Sequence, residues 1–544
     1  MLTTVFDPVA EHLASCLASV DELTFGDWEH IVVDDGSTGA AVGEVLDAGG
    51  HPRRRVVRHA RNRGMVAASV DALAMATGEF VVLLDHDDVL TPNALQRVVD
   101  RLASTADPAV VDILYSDHDL LRPDGRTASP VYKPDFSPER LRNHNYITHL
   151  VVVRRTALVE VGGFRSGFDG AQDHDLLLRV SERGGVVLHL PEILLHWRQS
   201  PASVAAATGN KPEAYAAGCR AVADHLDRVG VDAQVEPGAY DGIYRIRRRV
   251  PRDASVSVIV PTRGSRGRVW GRSRVFAHEA IASILADPER PEHLEFVLVV
   301  DAGTDPVVVR GARRLLGDAL VVVDFDEPFN FSRKINRGAA AASADFLLLL
   351  NDDTELAAPG SIRELIGLSQ QPDVGLVGAK LLYADGTLQH GGHVYNDTID
   401  HAFRGWPGDH PGTNRLLAVE RECSGVTAAA AMLRREVFDE VGGMSEELPV
   451  NYNDVDLSLR IRAAGHRVVW TPHACWWHFE GQSFDHPIDA AEIAVIGRDW
   501  SDEIVHDPYY NPNLAPGRTD WLERPGRSGA PPYTELADGR VVWA

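Results

Sequence analysis

The chain has 544 residues, too many for one ordinary hydrophobic core, so we expect two domains. Apolar residues make up 44%, which predicts a globular chain, and 54 Lys plus Arg against 78 Asp plus Glu give a formal charge of -24. This acidic balance excludes a general nucleic-acid binder, because phosphate contacts need a basic face. It is compatible with a nucleotide ligand that is held through a divalent cation.

The cysteines and the apolar runs bear on the compartment. The four cysteines are scattered without a CxxC pair, which predicts a reducing, cytoplasmic compartment. The N-terminal residues lack the pattern of a signal peptide, and runs such as FVVLL stop far short of the roughly 20 residues that span a bilayer. We expect a cytoplasmic protein, with peripheral membrane contact left open.

In the first half of the chain, short runs of β-branched residues predict buried strands at 31–35, 80–85 and 112–117. The stretch 65–78 predicts a helix that ends at Gly78. A strand, a helix and a strand in succession are typical of a parallel α/β sheet. The strand expected to lead this unit is short or missing, because the chain opens at MLTTVFDP.

The middle of the chain predicts a connector, a helix at 211–230 followed by a hairpin at 233–251. Its RIRRR run is interpreted as a solvated strand face rather than a basic patch. The second half repeats the strand and helix alternation, with strands at 257–262, 295–301, 320–325 and 346–351 and a helix at 332–344. After about residue 500, a tail rich in Pro, Gly and Asp is expected to wrap the second unit without regular structure.

Three motifs occur twice in the same order. VVDDGST (32–38) returns as VVDAGT (299–304), FVVLLDHDD (80–88) as FLLLLNDDT (346–354), and VGGFRSGFDGAQDHDLLLR (161–179) as VGGMSEELPVNYNDVDLSLR (441–460). An ordered set of repeats predicts two copies of one domain. We place an α/β domain at 1–205, the connector at 206–252, a second α/β domain at 253–500 and an extension at 501–544.

Acidic residues follow the predicted strands at the edge where parallel sheets bind ligands. In the first copy these residues are Asp34, Asp35, Asp85, Asp87 and Asp88, and in the second they are Asp301, Asn351, Asp352 and Asp353. Hard oxygen ligands of this kind suit Mg²⁺ or Mn²⁺ holding a diphosphate. An Asp that merely ends a strand is the alternative, and duplication of the whole environment favours function.

The double-glycine motifs each place two carboxylates before an apolar helical run. We expect Asp175 and Asp456 to cap the helices. Asp173 and Asp454 are expected to face a cleft as bases, ionised by the positive end of the helix dipole.

Several histidines are candidate metal ligands. His196 and His478 each follow a later strand, where imidazole could complete a metal shell or simply pack beside Trp. The pair in QHGGH (389–393) lacks partners at useful spacing and is interpreted as a glycine-rich loop.

Motifs of other enzyme classes are missing from the sequence. It has no GxGxxG after a strand, no GxxxxGK[ST], no HExxH and no GxSxG, which argues against dinucleotide oxidoreductases, P-loop ATPases, zincins and serine hydrolases. A sugar-1-phosphate nucleotidyltransferase needs a Gly- and Arg-rich phosphate loop, and RGSRGRVWGRS (263–273) is its sole candidate.

Taken together, VVDDGST, LLDHDD, KPDFSPERL, LLHWR, VIVPTRG, NFSRKIN, LLLNDDTEL, HFEGQS and the double-glycine motifs resemble the inverting family 2 glycosyltransferases of GT-A fold. Their order is similar to tandem, two-domain members that assemble O-antigen, capsule and other cell-surface polysaccharides. The resemblance implies two Rossmann-like GT-A domains, a nucleotide-sugar donor, a glycan or lipid-linked glycan acceptor, and a Mn²⁺ or Mg²⁺ cofactor. It is compatible with peripheral association at the cytoplasmic face of the inner membrane.

The resemblance also implies roles for particular residues. The bases are Asp173 and Asp454, and the metal ligands are Asp87 and Asp353, beside which His196 and His478 stay the candidates proposed above from their chemistry. Nucleotide-sugar contacts fall to Asp34, Asp35, Asp85, Asp301, Asn351 and Asp352. Asn351 departs from the usual DxD acid.

The implied reaction is a single in-line displacement with inversion, since each site offers one base rather than the paired acids of a glycosidase. The segment from acidic strand end to double glycine is longer in the second copy (353 to 443) than in the first (87 to 163). We therefore expect the two sites to accept different sugars or make different linkages. The alternative is that one unit is an inactive scaffold or glycan-binding module.

Overall fold

The computed structural model describes residues 1–198, 212–479, 488–525, 533–535 and 541–543. The predicted domain boundary at 205/206 and most of the HFEGQS motif lie outside these ranges.

The first unit alternates strands and helices along the chain. Its strands are β1 (Leu2–Val5), β2 (His30–Asp34), β3 (Arg54–Arg58), β4 (Phe80–Leu83), β5 (Val89–Leu90), β6 (Val111–Leu121), β7 (Thr127–Val131), β8 (Val151–Arg154) and β9 (Val186–Arg198). Its helices are α1 (Ala10–Asp21), α2 (Ala40–Ala48), α3 (Met65–Met75), α4 (Ala94–Ala103), α5 (Pro138–Asn143), α6 (Arg155–Glu160) and α7 (Gln172–Ser181).

These strands form one mixed sheet in the order β3-β2-β1-β4-β8-β6-β9-β5, with β7 paired to β6. The pairs from β3 through β4 are parallel, and β4 pairs with β8 antiparallel. Apolar side chains pack on both faces of the sheet in three separate clusters, which explains why the strands read as continuous apolar runs.

A connector follows, made of α8 (Pro212–Arg228), β10 (Ala233–Pro237) and β11 (Tyr244–Arg248), with the two strands paired as the predicted hairpin. The interpretation of RIRRR as a solvated face is wrong in part. Arg247 is exposed, but the Arg248 side chain is buried in an ion pair with Glu420 at 2.7 Å.

The second unit repeats the alternation. Its strands are β12 (Ser255–Thr262), β13 (Arg266–Val269), β14 (Arg272–Val275), β15 (His293–Asp301), β16 (Leu320–Phe325), β17 (Phe346–Leu350), β18 (Thr354–Leu356), β19 (Val374–Leu382), β20 (Leu388–His390), β21 (His393–Tyr395), β22 (Ile399–His401), β23 (Arg421–Glu422), β24 (Ala430–Arg434) and β25 (Arg467–His478). Its helices are α9 (Phe276–Leu285), α10 (Pro306–Leu316), α11 (Phe331–Ala341), α12 (Ser361–Ser369), α13 (Arg435–Glu440) and α14 (Asn453–Ala463).

The main sheet runs β16-β15-β12-β17-β24-β19-β25-β18, the same order as in the first unit. The α/β expectation is therefore confirmed, and the two sheets are copies of one topology. β1 pairs with β4 at Leu2↔Leu83, and β12 pairs with β17 through Ile259↔Leu349. The four-residue β1 thus retains the carboxyl end of the eight-residue β12, the end that faces the site. RGSRGRVWGRS forms the β13–β14 hairpin rather than a phosphate loop, which removes the basis for the nucleotidyltransferase alternative.

Helix α15 (Ala490–Trp500) ends where the predicted tail begins. The tail itself contains the paired strands β26 (Tyr533–Glu535) and β27 (Val541–Trp543), so the expectation of no regular structure there is wrong. Tyr510 and Trp521 pack into the core of the second unit. Asn511 Nδ2 donates 2.8 Å to Asp117 Oδ2 of the first unit, so the tail contacts both units. Within the described ranges, no helix has the length and apolar character to cross a membrane.

Candidate active sites

A cavity of about 100 Å³ in the first unit joins the two acidic motifs. It is lined by Asp85 at the end of β4, by Asp173 in the first turn of α7, and by Thr4 and His149. Parallel strands bring their carboxyl ends to one edge of the sheet, and α7 begins at that edge. The carboxylate of the acidic strand end and the candidate base therefore line one space.

The same edge holds a cation-ligand set. One ligand atom each of Asp85, Asp88 and His149 lies within 4.8 Å of the others. Asp88 is fully buried: Oδ1 accepts a 3.0 Å hydrogen bond from Arg198 N–H, whereas Oδ2 has no hydrogen-bond partner in the described structure and lies 3.5 Å from His149 Nδ1. Burial, followed by the charge of Asp85, raises the pKa of Asp88 well above its ordinary value. Two carboxylates and an imidazole around an orphaned oxygen fit Mn²⁺ or Mg²⁺.

Asp87 and His196, the ligands proposed from sequence, are not in this set. Asp87 is half-buried, and its carbonyl accepts a 2.8 Å hydrogen bond from Arg198 Nε. His196 Nδ1 instead lies 2.5 Å from Asp119 Oδ1. The strand register explains this. Val89, two residues after Asp87, pairs with His196, whereas Thr354, one residue after Asp353, pairs with His478. The one-residue offset turns His196 to the other face of its strand.

The paired aspartates after β2 have different environments. Asp35 accepts hydrogen bonds from the backbone N–H groups of Arg63 (2.9 Å) and Gly64 (2.8 Å), and its Oδ1 lies 2.6 Å from His59 Nδ1. These contacts commit Asp35 to anchoring the 59–64 loop. Asp34 accepts from Ser37 N–H at 2.9 Å.

In the second unit, a cavity of about 450 Å³ lies between the carboxyl ends of β15 and β16. Asp301, Gly303, Arg310 and Arg313 are among its lining residues. Lys334 Nζ forms an ion pair with Asp301 Oδ1 at 2.7 Å, which neutralises the aspartate proposed for nucleotide contact. The volume is in the range of small-ligand sites.

The acidic strand end of the second unit brings Asp353 and His478 together. His478 Nε2 lies 3.3 Å from both Asp353 Oδ1 and Asn351 Nδ2. Asp352 is buried and its Oδ2 accepts a 2.5 Å hydrogen bond from Thr262 Oγ1, which ties this loop to β12. Burial, followed by the charge of Asp353, raises the pKa of Asp352 to about 7.

The two candidate bases are half-buried in the first turns of α7 and α14. Asp173 Oδ2 accepts a 2.9 Å hydrogen bond from Asn145 Nδ2, and Asp454 Oδ2 accepts from Ala428 N–H at 3.3 Å. Burial raises the pKa of Asp454.

The expected capping by Asp175 and Asp456 is wrong. Both lie inside their helices and form ion pairs with the arginine four residues later, Arg179 and Arg460, at 2.7 Å. The N-cap positions are Ala171 and Tyr452.

Sequence reasoning missed several groups. His149 and Asp88 meet only through the tertiary fold, and no local pattern marks the pair. The glycine-rich-loop interpretation of QHGGH missed His401, which is directly paired with His393 across the β21–β22 hairpin. Side chains alternate between the two faces of a hairpin, and this spacing is the signal that could have predicted His401 beside His393.

Comparison with known families matches both units. The family described as "Glycosyl transferase family 2" matches residues 4–162, and "Glycosyltransferase like family 2" matches residues 251–490.

Relatives match along nearly the whole chain. The uncharacterized protein y4gI of Sinorhizobium fredii is 37% identical over 96% of this chain and 58% of its own length. The O-antigen biosynthesis protein RfbC of Myxococcus xanthus is 37% identical over 96% of this chain and 40% of its own length. A chondroitin synthase of Pasteurella multocida is 29% identical over 34% of this chain and 19% of its own length. The chain thus spans about half the length of the first two relatives, and it belongs to glycosyltransferase family 2, with two domains of that family in tandem.

Proposed function

We propose that the chain transfers sugars from nucleotide-diphosphate donors to a growing cell-surface glycan, with inversion at the anomeric carbon. The observation that carries this proposal is the cavity lined by both Asp85 and Asp173. It offers a donor-binding carboxylate and a base in one space. The similarity to an O-antigen biosynthesis protein supports a bacterial surface polysaccharide as the acceptor class.

In the first unit, Asp85, Asp88 and His149 would hold the divalent cation. When bound, such a cation neutralises diphosphate charge and stabilises the leaving group. Asp173 accepts the proton of the acceptor hydroxyl as that oxygen attacks the anomeric carbon from the face opposite the diphosphate. Asn145 orients the carboxylate through its 2.9 Å hydrogen bond.

In the second unit, Asp353 and His478 would hold the cation, and Asp454 is the base. Arg310 and Arg313 line the larger cavity and supply positive charge for an anionic donor. Peripheral contact with a membrane that carries a lipid-linked acceptor is part of the same proposal.

A second candidate is that only the first unit is catalytic and the second binds glycan. Two observations favour it: Asn351 replaces a DxD acid, and Lys334 neutralises Asp301.

Single and double Asp→Asn substitutions at 173 and 454 test these proposals. The readout is nucleoside diphosphate release from UDP-, dTDP- and GDP-sugars in the presence of acceptor glycan, with product anomers assigned by NMR. Each single substitution should lower one transfer by about 10²–10⁴-fold. Asp227→Asn, on the exposed end of α8, is the control.

If both single variants abolish the same single linkage, the two sites are not distinct. If only Asp173→Asn has an effect, the one-site candidate holds. Full transfer by the double variant would overturn the proposal.

A further inference from the structure

Three histidines form a cluster in the segment that the second unit has gained. His390 ends β20, and His393 and His401 are paired across β21 and β22. One ligand nitrogen from each lies within 4.8 Å of the other two. The ring centroids are 4.8 to 5.1 Å apart.

The backbone holds this cluster in place. His393 N–H donates 2.7 Å to Gly425 O, and Ala402 N–H donates 2.8 Å to Gly392 O. A Cβ on Gly391 would lie 2.9 Å from Leu417 Cδ2 and 3.0 Å from Ala402 O, and Gly392 has a φ of 94°, so both positions favour glycine. The glycines of QHGGH therefore serve to bring two imidazoles beside the third.

Burial favours the uncharged form of these rings. His390 and His393 are buried, and His401 is half-buried. Burial lowers the pKa of His393 and of His401 to about 4. Neutral imidazole is the ligand form of histidine.

A hydrogen bond between two of the rings is the simpler explanation to weigh. His390 Nδ1 and His401 Nδ1 are 2.6 Å apart, which one shared proton accounts for. It does not account for His393, whose Nδ1 has only a long contact of 3.4 Å to the Tyr395 hydroxyl. Ligands about 2.05 Å from a tetrahedral ion lie about 3.3 Å apart, so binding requires the two Nδ1 atoms to separate by about 0.7 Å.

We infer that His390, His393 and His401 bind a divalent transition-metal ion of the nitrogen-preferring class, Zn²⁺ foremost, in the second unit. Three histidines around one ion leave a coordination position open, as in sites where the metal meets a small ligand. A set made only of imidazoles disfavours Mg²⁺, which separates this site from the two sites that combine carboxylates with one histidine.

The position of the cluster suggests what the open coordination site would meet. The charge of Asp454 acts on His401, and His478 acts electrostatically on His390. Thr427 N–H donates 3.3 Å to His390 Nε2, and the N–H of the next residue, Ala428, donates 3.3 Å to Asp454 Oδ2, so the cluster lies beside the candidate base. A hydroxyl-bearing acceptor is the ligand class that fits this place, and that assignment rests on the proposed function, whereas metal binding does not.

The first unit offers no counterpart among its described residues. Strand β7, which pairs with β6 as β20 pairs with β19, reads TASPV and has no metal-ligating side chain. The metal site would thus belong to the second unit alone.

Metal binding to the chelator-treated full chain tests the inference. Zn²⁺ content after dialysis should be higher by about one equivalent in the unmodified chain than in the His393→Gln variant, and Co²⁺ should give the visible d–d absorption of a four- or five-coordinate nitrogen site. His393→Gln and His401→Gln should each lose the Co²⁺ band and the rise in Tm that Zn²⁺ gives the unmodified chain. His466→Gln, at a half-buried histidine bonded to Glu440, should keep both.

Asp353→Asn should also keep the Co²⁺ band, which separates this site from the acidic strand end. Circular dichroism of the metal-free variants verifies that they are folded. The inference is overturned if the unmodified chain takes up no stoichiometric Zn²⁺, or if the folded His393→Gln and His401→Gln variants bind it unchanged. Zn²⁺ binding without transfer activity would retain the metal site and count only against the acceptor role.

Discussion

Asp88 places a carboxylate in the interior of the first unit. Its Oδ2 faces His149 and has no hydrogen-bond partner in the described structure. A buried carboxylate in this state opposes folding above its ordinary pKa of 3.8, because the folded state holds the proton more tightly than the unfolded chain. A bound cation would reverse that penalty. Asp88 is therefore costly in the metal-free protein and useful in the loaded one.

Asp88→Asn tests this assignment. We expect Mn²⁺ affinity of the first unit, measured by electron paramagnetic resonance titration, to fall by at least about 10-fold. The Tm of the metal-free variant should equal or exceed that of the unmodified chain, since the raised pKa no longer penalises folding. Asp87→Asn is the matched comparison. If Asp87→Asn loses Mn²⁺ binding and Asp88→Asn keeps it, then Asp87 is the metal ligand, as the motif spacing suggested.

For single residues, the sequence predicts which side chains reach the edge of the site but not which groups each of them contacts. The repeat placed Asp35 and Asp352 at strand ends, where the structure has them. Their oxygens are occupied by groups distant in the chain, Gly64 N–H in one case and Thr262 Oγ1 in the other. Loop closure over tens of residues decides such contacts, and no local periodicity encodes it.

Helix α8 illustrates the same limit at the scale of an element. Its amphipathic pattern predicts the helix, yet the pattern gives no reason for Gly218 in its middle. The structure does: a Cβ there would lie 1.8 Å from Tyr244 Oη and 2.4 Å from Tyr244 Cζ on the connector strand β11. Glycine lets the helix and the hairpin approach closely.

Gly218→Ala should destabilise the protein by about 1–3 kcal/mol through overpacking against Tyr244. Gly497→Ala is a matched control, because Gly497 lies inside α15 with nothing within 4 Å of the added Cβ. That substitution should stabilise by about 0.5–1 kcal/mol, the ordinary helix preference for alanine. Urea unfolding measures both. Equal effects at the two positions would show that the approach of Tyr244 is not limiting.

For the whole molecule, buried ion pairs connect the two units. Glu139 of the first unit is fully buried and contacts Arg142 at 2.9 Å, Arg467 of the second unit at 3.4 Å, and Arg248 of the connector. Glu422 adds a 2.5 Å pair to Arg467. The motif order predicted two domains, but the RIRRR run gave no hint that the connector would link them through buried charge.

Glu139→Gln should destabilise the full chain by about 3 kcal/mol at pH 7, since it leaves buried guanidinium groups with fewer carboxylates. Burial alone would raise the pKa of Glu139, but Arg248, Arg142 and Arg467 lower it to about 2. A lowered folded-state pKa stabilises above the ordinary value of 4.5 and loses that effect as pH falls toward 2. The difference in unfolding free energy between the variant and the unmodified chain should therefore shrink across this window in urea unfolding at pH 7, 5 and 3.

Glu79→Gln is the control. Its partner Arg154 is 2.8 Å away, but the Glu79 side chain is 72% exposed, so the substitution should cost less than about 1 kcal/mol at pH 7. A pH-independent effect of Glu139→Gln, or one no larger than that of Glu79→Gln, would mean that buried charge does not hold the two units together.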